Sequence, residues 1–242
     1  MDLFKVIYLL WAPRDQEKAK TRQLLLDDLA TRCIGSGAVR LTMDIADPES
    51  EMRSPAPKLY RGQPICALIN VWLEDMGQRR NIEDMLRYAG FKIAGYLVEE
   101  SVYMDYGGNR HSKPRDWADG RRSPGVTAVT LMERPRRLSR EEWIRRWHGT
   151  MSPVSEEIQP RTRYVRNLVI EAITPDALPF EGIVEECWPS KKHVSSPFLF
   201  YGAGSVIQLA KNMCRILKAV RSFLDIHRIR TTVMSEYLIK TK

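Results

Sequence analysis

The chain has 242 residues, 43% of them apolar and 9% aromatic, enough for a real core and for one large domain or two of ordinary size. Lys and Arg number 38 against 30 Asp and Glu, a formal net charge of +8, and a charged fraction of 28% excludes a chain disordered throughout. Apolar runs such as Val6–Ala12 fall far short of the ~20 residues a bilayer span needs, and Met1–Lys5 has neither the charged start nor the cleavage site of a secretory signal, so the expectation is a soluble protein of the cytoplasm.

Residues 4–11, rich in β-branched and aromatic side chains, predict a strand. Residues 15–32 predict a helix stopped by Gly35 and Gly37. Over 39–46, Val39, Leu41, Met43 and Ile45 alternate with Arg40, Thr42 and Asp44, a second strand. A loop carrying Pro48, Pro55, Pro57 and Pro64 leads to a third strand over 65–73. A helix over 78–89 sets Ile82, Met85, Leu86 and Ala89 on one face, and a fourth strand covers 93–103. Residues 104–124 are basic and punctuated by Gly and Pro, as in a linker or a long surface loop.

The same order restarts at residue 125. Residues 126–133 predict a strand, and Ser139–Glu142 a capping box in which Ser139 bonds the amide of Glu142 and Glu142 reaches back. The helix it opens carries Trp143, Trp147, Met151, Val154 and Ile158 on one stripe. Gly149 and Pro153 are expected to break or kink it after His148. Strands over 164–173 and 182–188 follow. Next comes a helix over 205–224 with Val206, Ala210, Met213, Leu217, Val220 and Leu224 inward, then a last strand over 229–239. Two β-α-β-β-α-β units (1–103 and 125–242, joined by 104–124) predict an α+β protein with two ferredoxin-like repeats. The sheet face left bare by each repeat's helices must be covered, most simply by packing the two sheets together as a barrel within one chain.

Cys33, Cys66, Cys187 and Cys214 are widely spread with no paired spacing, which reads as free buried thiols and no metal. Basic clusters such as Arg134–Arg137 and Arg161–Arg166 read as solvated faces rather than nucleic-acid contacts, and the aromatic signature of RNA-binding sheets is absent. There is no Gly-rich phosphate loop, HExxH or GxSxG motif, so no cofactor is expected.

The second half reads Glu133-Arg134-Pro135, Leu138-Ser139-Arg140-Glu141-Glu142-Trp143, Trp147-His148-Gly149 and Ser152-Pro153-Val154. Arg163-Tyr164-Val165-Arg166-Asn167, Gly182-Ile183-Val184-Glu185-Glu186 and Ser235-Glu236-Tyr237 follow. Together these motifs resemble the EthD-like family of the dimeric α+β barrel superfamily. The first half is similar to a diverged copy, with Tyr8-Leu9-Leu10-Trp11 and Val98-Glu99-Glu100 as echoes. The resemblance implies a ligand pocket between each sheet and its helices or in the barrel lumen. It also implies functions that range over cofactor-free cyclases, dehydratases, isomerases and monooxygenases. One departure stands out: the family commonly has His-x-Pro at the end of the first helix, and Met151 holds that position here.

The candidate catalytic groups are His148, Tyr164 and Glu185. At a helix C-terminus the His148 pKa would rise, which suits a general acid or base. Glu185 and Glu186 point to opposite faces, so one points inward, where a buried ion pair competes with proton abstraction. Trp147, Met151, Arg166, Asn167 and Glu236 are candidate substrate-binding residues. Trp72, Trp188, Tyr8, Phe198, Phe200 and Tyr201 could form an aromatic wall, whereas His193 has no evident partner. The expected function is acid/base chemistry of the dehydratase, cyclase, isomerase or lyase type on a small aromatic or polyketide-like compound. The alternatives are a non-catalytic binding protein and, more weakly, a monooxygenase or haem enzyme with His148 or His227 as ligand. The expected partner is a small apolar or aromatic ligand, with no nucleic acid and no membrane; a homodimer is left open.

Overall fold

The computed structural model describes residues 3–52 and 62–242. Pro55 and Pro57 of the proline-rich loop lie outside the described residues. Eight antiparallel strands close into a barrel in the order β1-β3-β2-β8-β5-β7-β6-β4. They are β1 (Phe4–Trp11), β2 (Arg40–Ile45), β3 (Ala67–Leu73), β4 (Lys92–Met104), β5 (Val126–Met132), β6 (Arg163–Ala172), β7 (Gly182–Trp188) and β8 (Ile229–Lys240). Strands β1–β4 come from the first repeat and β5–β8 from the second, joined at the seams β2–β8 and β4–β6. Closure pairs every edge within one chain. This is the predicted dimeric α+β barrel, with each repeat's helices outside its own sheet.

Alternation sorts each strand into a lumen face and a helix face. In the first repeat the helix face is aliphatic: Leu10, Leu41, Met43, Ile69 and Val71 pack on Leu25 and Leu29 and on Ile82 and Leu86 of α3 (Arg79–Tyr88). The helix that brings Leu25 and Leu29 runs from α1 (Lys18–Gln23) through a π-helical stretch at Leu24–Leu29 into α2 (Ala30–Gly35). Inside the barrel, Ile7, Leu9, Leu68, Val98, Val129, Ile183 and Met234 form a second apolar cluster.

The helix opened by Ser139 does not end at His148. It runs through α4 (Arg140–Arg146), a π-helical stretch at Trp147–Met151 and α5 (Ser152–Ile158). Ser152 stays right-handed helical, with its N–H donating to the Trp147 carbonyl five residues back. The wide π turn accommodates the Pro153 ring, which would strike the carbonyl of residue 149 in a regular helix. The Ser139 hydroxyl accepts from the Glu142 amide at 3.2 Å, but the Glu142 carboxylate turns to Arg145 and Arg146 instead of reaching back.

The last helix, α8 (Val206–Phe223), presents Asn212, Ile216, Ala219 and Phe223 inward, while Val206 and Ile207 stand in solvent. Its most buried stripe is therefore offset by one residue from the predicted one, of which Met213, Leu217 and Val220 are half-buried and Leu224 is buried. Cys33 and Cys187 are buried and Cys66 is half-buried, but Cys214 is exposed on α8, contrary to expectation. Arg161 and Arg166 are buried rather than solvated. Before α8 come α6 (Lys191–Ser195) and α7 (Pro197–Phe200); His193 lies in α6 and its Nδ1 contacts the Ser190 hydroxyl at 2.9 Å.

Candidate functional site

A cavity of about 250 Å³ opens between the helix face of β5–β8 and the helices of the second repeat. Its size approaches the lower end of small-molecule sites, roughly 300 Å³ upward. It exists partly because Ala128, which pairs with Glu186 across β5 and β7, leaves space where a larger side chain would stand. Gly182 works the other way: a Cβ there would come within 2.9 Å of both Met132 and Trp143, so its absence lets the two tryptophans close down on the sheet. Trp188 stacks on Phe200 with centroids 4.7 Å apart, and Tyr201 completes an aromatic wall. Gly202 turns the chain with φ +54°, and a Cβ there would meet the Ile158 carbonyl at 2.4 Å, so the turn that presents Tyr201 needs glycine.

The polar groups converge on one side. Tyr164 and Glu186 are directly opposite on β6 and β7. Arg161, fully buried in the turn after α5, donates to Glu186 Oε1 at 2.5 Å and to the Ser155 hydroxyl at 2.6 Å, and its guanidinium lies 4.0 Å from the Tyr164 ring centroid. Glu186 Oε2 has no protein hydrogen bond among the described residues. The Tyr164 hydroxyl accepts from Trp147 Nε1 at 3.1 Å, which leaves its own proton for another acceptor. Burial pushes the Tyr164 phenol up, against the pull of Arg161, so it is a neutral donor. Gln159 lines the cavity with its side-chain oxygen buried and unpartnered, as is Trp188 Nε1.

The residues singled out from sequence fall into three places. Tyr164, Trp147 and Met151 line this cavity. His148 and Arg166 lie beside it. His148 packs edge-on against Trp147, and its Nε2 is buried without a partner. Burial, and then the Arg166 charge, bring its pKa down to about 4, the reverse of the rise expected, because the helix does not terminate there. Arg166 donates to the hydroxyls of Ser152 and Ser101 and lies over Tyr103, with no carboxylate partner among the described residues.

Glu185, Asn167 and Glu236 point into the lumen, on the other side of the sheet. Glu185 accepts from Asn167 at 2.8 Å and Asn70 at 2.9 Å and lies 3.7 Å from Lys5. Burial opposes its charge, yet Lys5 and Arg163 hold it below the usual carboxylate range. Neighbouring Asp44 is pushed well above that range by burial and by Glu185 and Glu236, so one proton of this pair stays on Asp44. Glu236 accepts from Arg163 at 2.9 Å and from the Tyr106 hydroxyl at 2.6 Å. These acids tie the two repeats together across the barrel.

Sequence reasoning weighed Glu186 only as the alternative to Glu185, and it passed over Gln159 and Arg161. The one signal for Arg161 was its place between an apolar helical stripe and a buried strand. Of the aromatic residues, Trp188, Phe200 and Tyr201 line the cavity, while Tyr8 is in the first repeat's core, Trp72 lines the lumen mouth and Phe198 is exposed. Neither imidazole considered as a haem ligand faces the cavity, since His227 is on an exposed turn. Among the described residues no group of three or more His, Cys, Asp or Glu could hold a metal ion, and no helix is long and apolar enough to cross a membrane.

These features define the class: a dimeric α+β barrel folded from one chain, with a helix-covered cavity in its second half. No family model and no curated protein matches the sequence. Among solved structures, an anthrone oxidase-like protein is similar, with a TM-score of 0.58 at 10% identity over 99% of this chain and 94% of that one. A protein of Fusobacterium nucleatum described as a monooxygenase gives 0.52 at 8% identity over 99% and 94%. At such identities the likeness shows the fold alone.

Proposed function

We propose that the second-repeat cavity binds a small, flat aromatic or polyketide-like ketone and moves a proton on it without a cofactor. The observation that carries this reading is the pairing of a cavity-facing carboxylate oxygen with a neutral phenol donor directly across two strands. Glu186 Oε2 would take a proton from the carbon next to the carbonyl, while the Tyr164 O–H and the Gln159 side-chain amide hold the ligand's oxygens. Trp188, Phe200 and Met151 would grip the ring faces. The resulting enolate is the common first intermediate of isomerisation, of β-elimination of water and of carbanion reaction with dioxygen. His148, neutral near pH 7 and outside the cavity, would support Trp147 rather than touch the ligand. The cavity is complete within one chain, so the reading holds whether or not the protein pairs as a homodimer.

The test is deuterium incorporation into 2-tetralone, an aromatic ketone with acidic α-protons, followed by NMR in D₂O with oxygen uptake recorded alongside. The protein should accelerate exchange, Glu186→Gln should lower the acceleration about 100-fold, and Tyr164→Phe about tenfold. Acceleration unchanged in Glu186→Gln would overturn the assignment. A second reading, a non-catalytic carrier, is favoured by the 2.5 Å Arg161–Glu186 contact, which can hold the carboxylate as a strut. Tight binding of the probe with no exchange would select it.

A further inference from the structure

The barrel has a second opening, on the lumen side of the sheet, and residues 105–125 do not simply tether the repeats. The Tyr106 hydroxyl donates to Glu236, Tyr106 packs edge-on against Trp117, and the Gly120 and Ser123 amides donate to the β8 carbonyls of Leu238 and Glu236. Arg122 donates to the Ser235 hydroxyl at 2.8 Å. The segment is thus fixed along the rim, where it adds Asp105, Tyr106 and Arg115 to a cavity of about 300 Å³ at the lumen mouth. The barrel supplies the rest, with Trp72 and Thr42 in the wall, Arg40 and Lys240 at adjoining strands, and Glu100 and Arg163 bordering the buried network.

The charges here are unbalanced. The wall holds four cations, Arg40, Arg115, Arg163 and Lys240, and two acids, Glu100 and Asp105. Both acids are engaged: Glu100 accepts from Lys5 at 2.6 Å and Asp105 from Arg163 at 3.1 Å. Arg163 also pairs with Glu236, and Arg115 pairs with Asp119 at 2.6 Å. Arg40 has no hydrogen-bond or ion-pair partner among the described residues, and Lys240 has only the Ala38 carbonyl at 3.4 Å. Arg40, exposed, and Lys240, half-buried, are thus two cations without carboxylates on one concave wall, an arrangement that attracts anions. Trp72, largely buried and with the Lys5 ammonium 4.7 Å from its ring centroid, borders that wall with the part of the indole that remains exposed.

We propose that the lumen mouth is a second ligand site, separate from the helix-covered cavity, and that it takes a small oxyanion, a carboxylate or phosphate, carried on a flat ring beside Trp72. Arg40 and Lys240 bind the oxyanion, and the inter-repeat segment provides the opposite wall. The site does not depend on the acid/base reading of the other cavity.

The test is calorimetric titration at low salt with benzoate, phenyl phosphate and neutral benzamide, using the protein carrying Ala128→Leu, which narrows the helix-covered cavity. One equivalent of benzoate or phenyl phosphate should bind, at least tenfold more tightly than benzamide, and the stronger of the two identifies the preferred head group. Adding Arg40→Gln and Lys240→Gln should weaken that anion at least tenfold with the thermal midpoint unchanged. The proposal is overturned if neither anion binds at millimolar concentration, if benzamide binds as well as the anions, or if the Arg40 and Lys240 substitutions leave the affinity unchanged.

Discussion

The two repeats share one topology and differ in what lies between sheet and helices. The first repeat is packed solid: Leu25 and Leu29 fill the space over Met43, Ile69 and Val71. It even holds a tyrosine–glutamate–arginine set of its own, with the Tyr8 hydroxyl donating to Glu83 at 3.3 Å and Arg79 bonded to the same carboxylate. Its Tyr8 and Glu83 are buried in the packed core, and burial with the Glu83 charge pushes the Tyr8 phenol far up. In the second repeat, Tyr164, Glu186 and Trp188 replace aliphatic strand residues, Ala128 leaves a gap, and the extra helices after β7 add Phe200 and Tyr201. The contrast shows that a site needs space beside the polar trio, not the trio alone.

The sharpest way to break this comparison is to make the same truncation in both halves. Leu29→Ala, in the solid repeat, should destabilise by about 3–5 kcal/mol in urea unfolding, because a closed core keeps the void. Leu217→Ala, on the cavity wall, should cost only about 1 kcal/mol, since its side chain already borders open space. Equal losses would mean that the two halves are packed alike.

Acid sensitivity gives a subtler test. The folded His148 has a pKa of about 4 against an ordinary 6.5, held down by burial and then by Arg166. Between those values the unfolded chain takes up the proton and the folded chain does not. Stability present above pH 6.5 is therefore lost as the pH falls toward 4. Because the ring is only half-buried, the loss should be roughly 1–2 kcal/mol. His148→Gln should flatten the stability profile in that window, and an unchanged slope would place the sensitivity elsewhere. Smaller still, Ala128→Leu should alter stability by no more than about 1 kcal/mol, while weakening 2-tetralone binding at least tenfold. Undiminished binding would move the ligand out of this cavity.

How far the sequence could be read depended on how local the signal was. Short apolar runs rich in β-branched and aromatic residues, with clear alternation over 39–46, placed the eight strands to within a residue or two, because both faces of a barrel strand are covered and such runs stand out locally. The helix through His148 was misread because the rule against a helical residue before proline is local, whereas the packing of Trp143, Trp147 and Ile158 keeps the helix going through a π turn. That misreading also reversed the expected direction of the His148 pKa. For Glu185 and Glu186 the sequence showed opposite faces, but both faces of β7 are covered, one by helices and one by the rest of the barrel.

Strand-length apolar runs, helical stripes and the repeated order of elements thus determined, from the sequence by itself, an α+β protein of two β-α-β-β-α-β repeats, with a barrel as the simplest way to cover both sheets. Those signals act between neighbours along the chain, so they survive without knowledge of the fold. Only the tertiary structure decided that Glu186 rather than Glu185 meets Tyr164 at the cavity, that Arg161 is buried against both, and that residues 105–125 wall the lumen mouth. Each of those facts depends on which distant surfaces come together when the barrel closes, and barrel closure is a property of the whole chain.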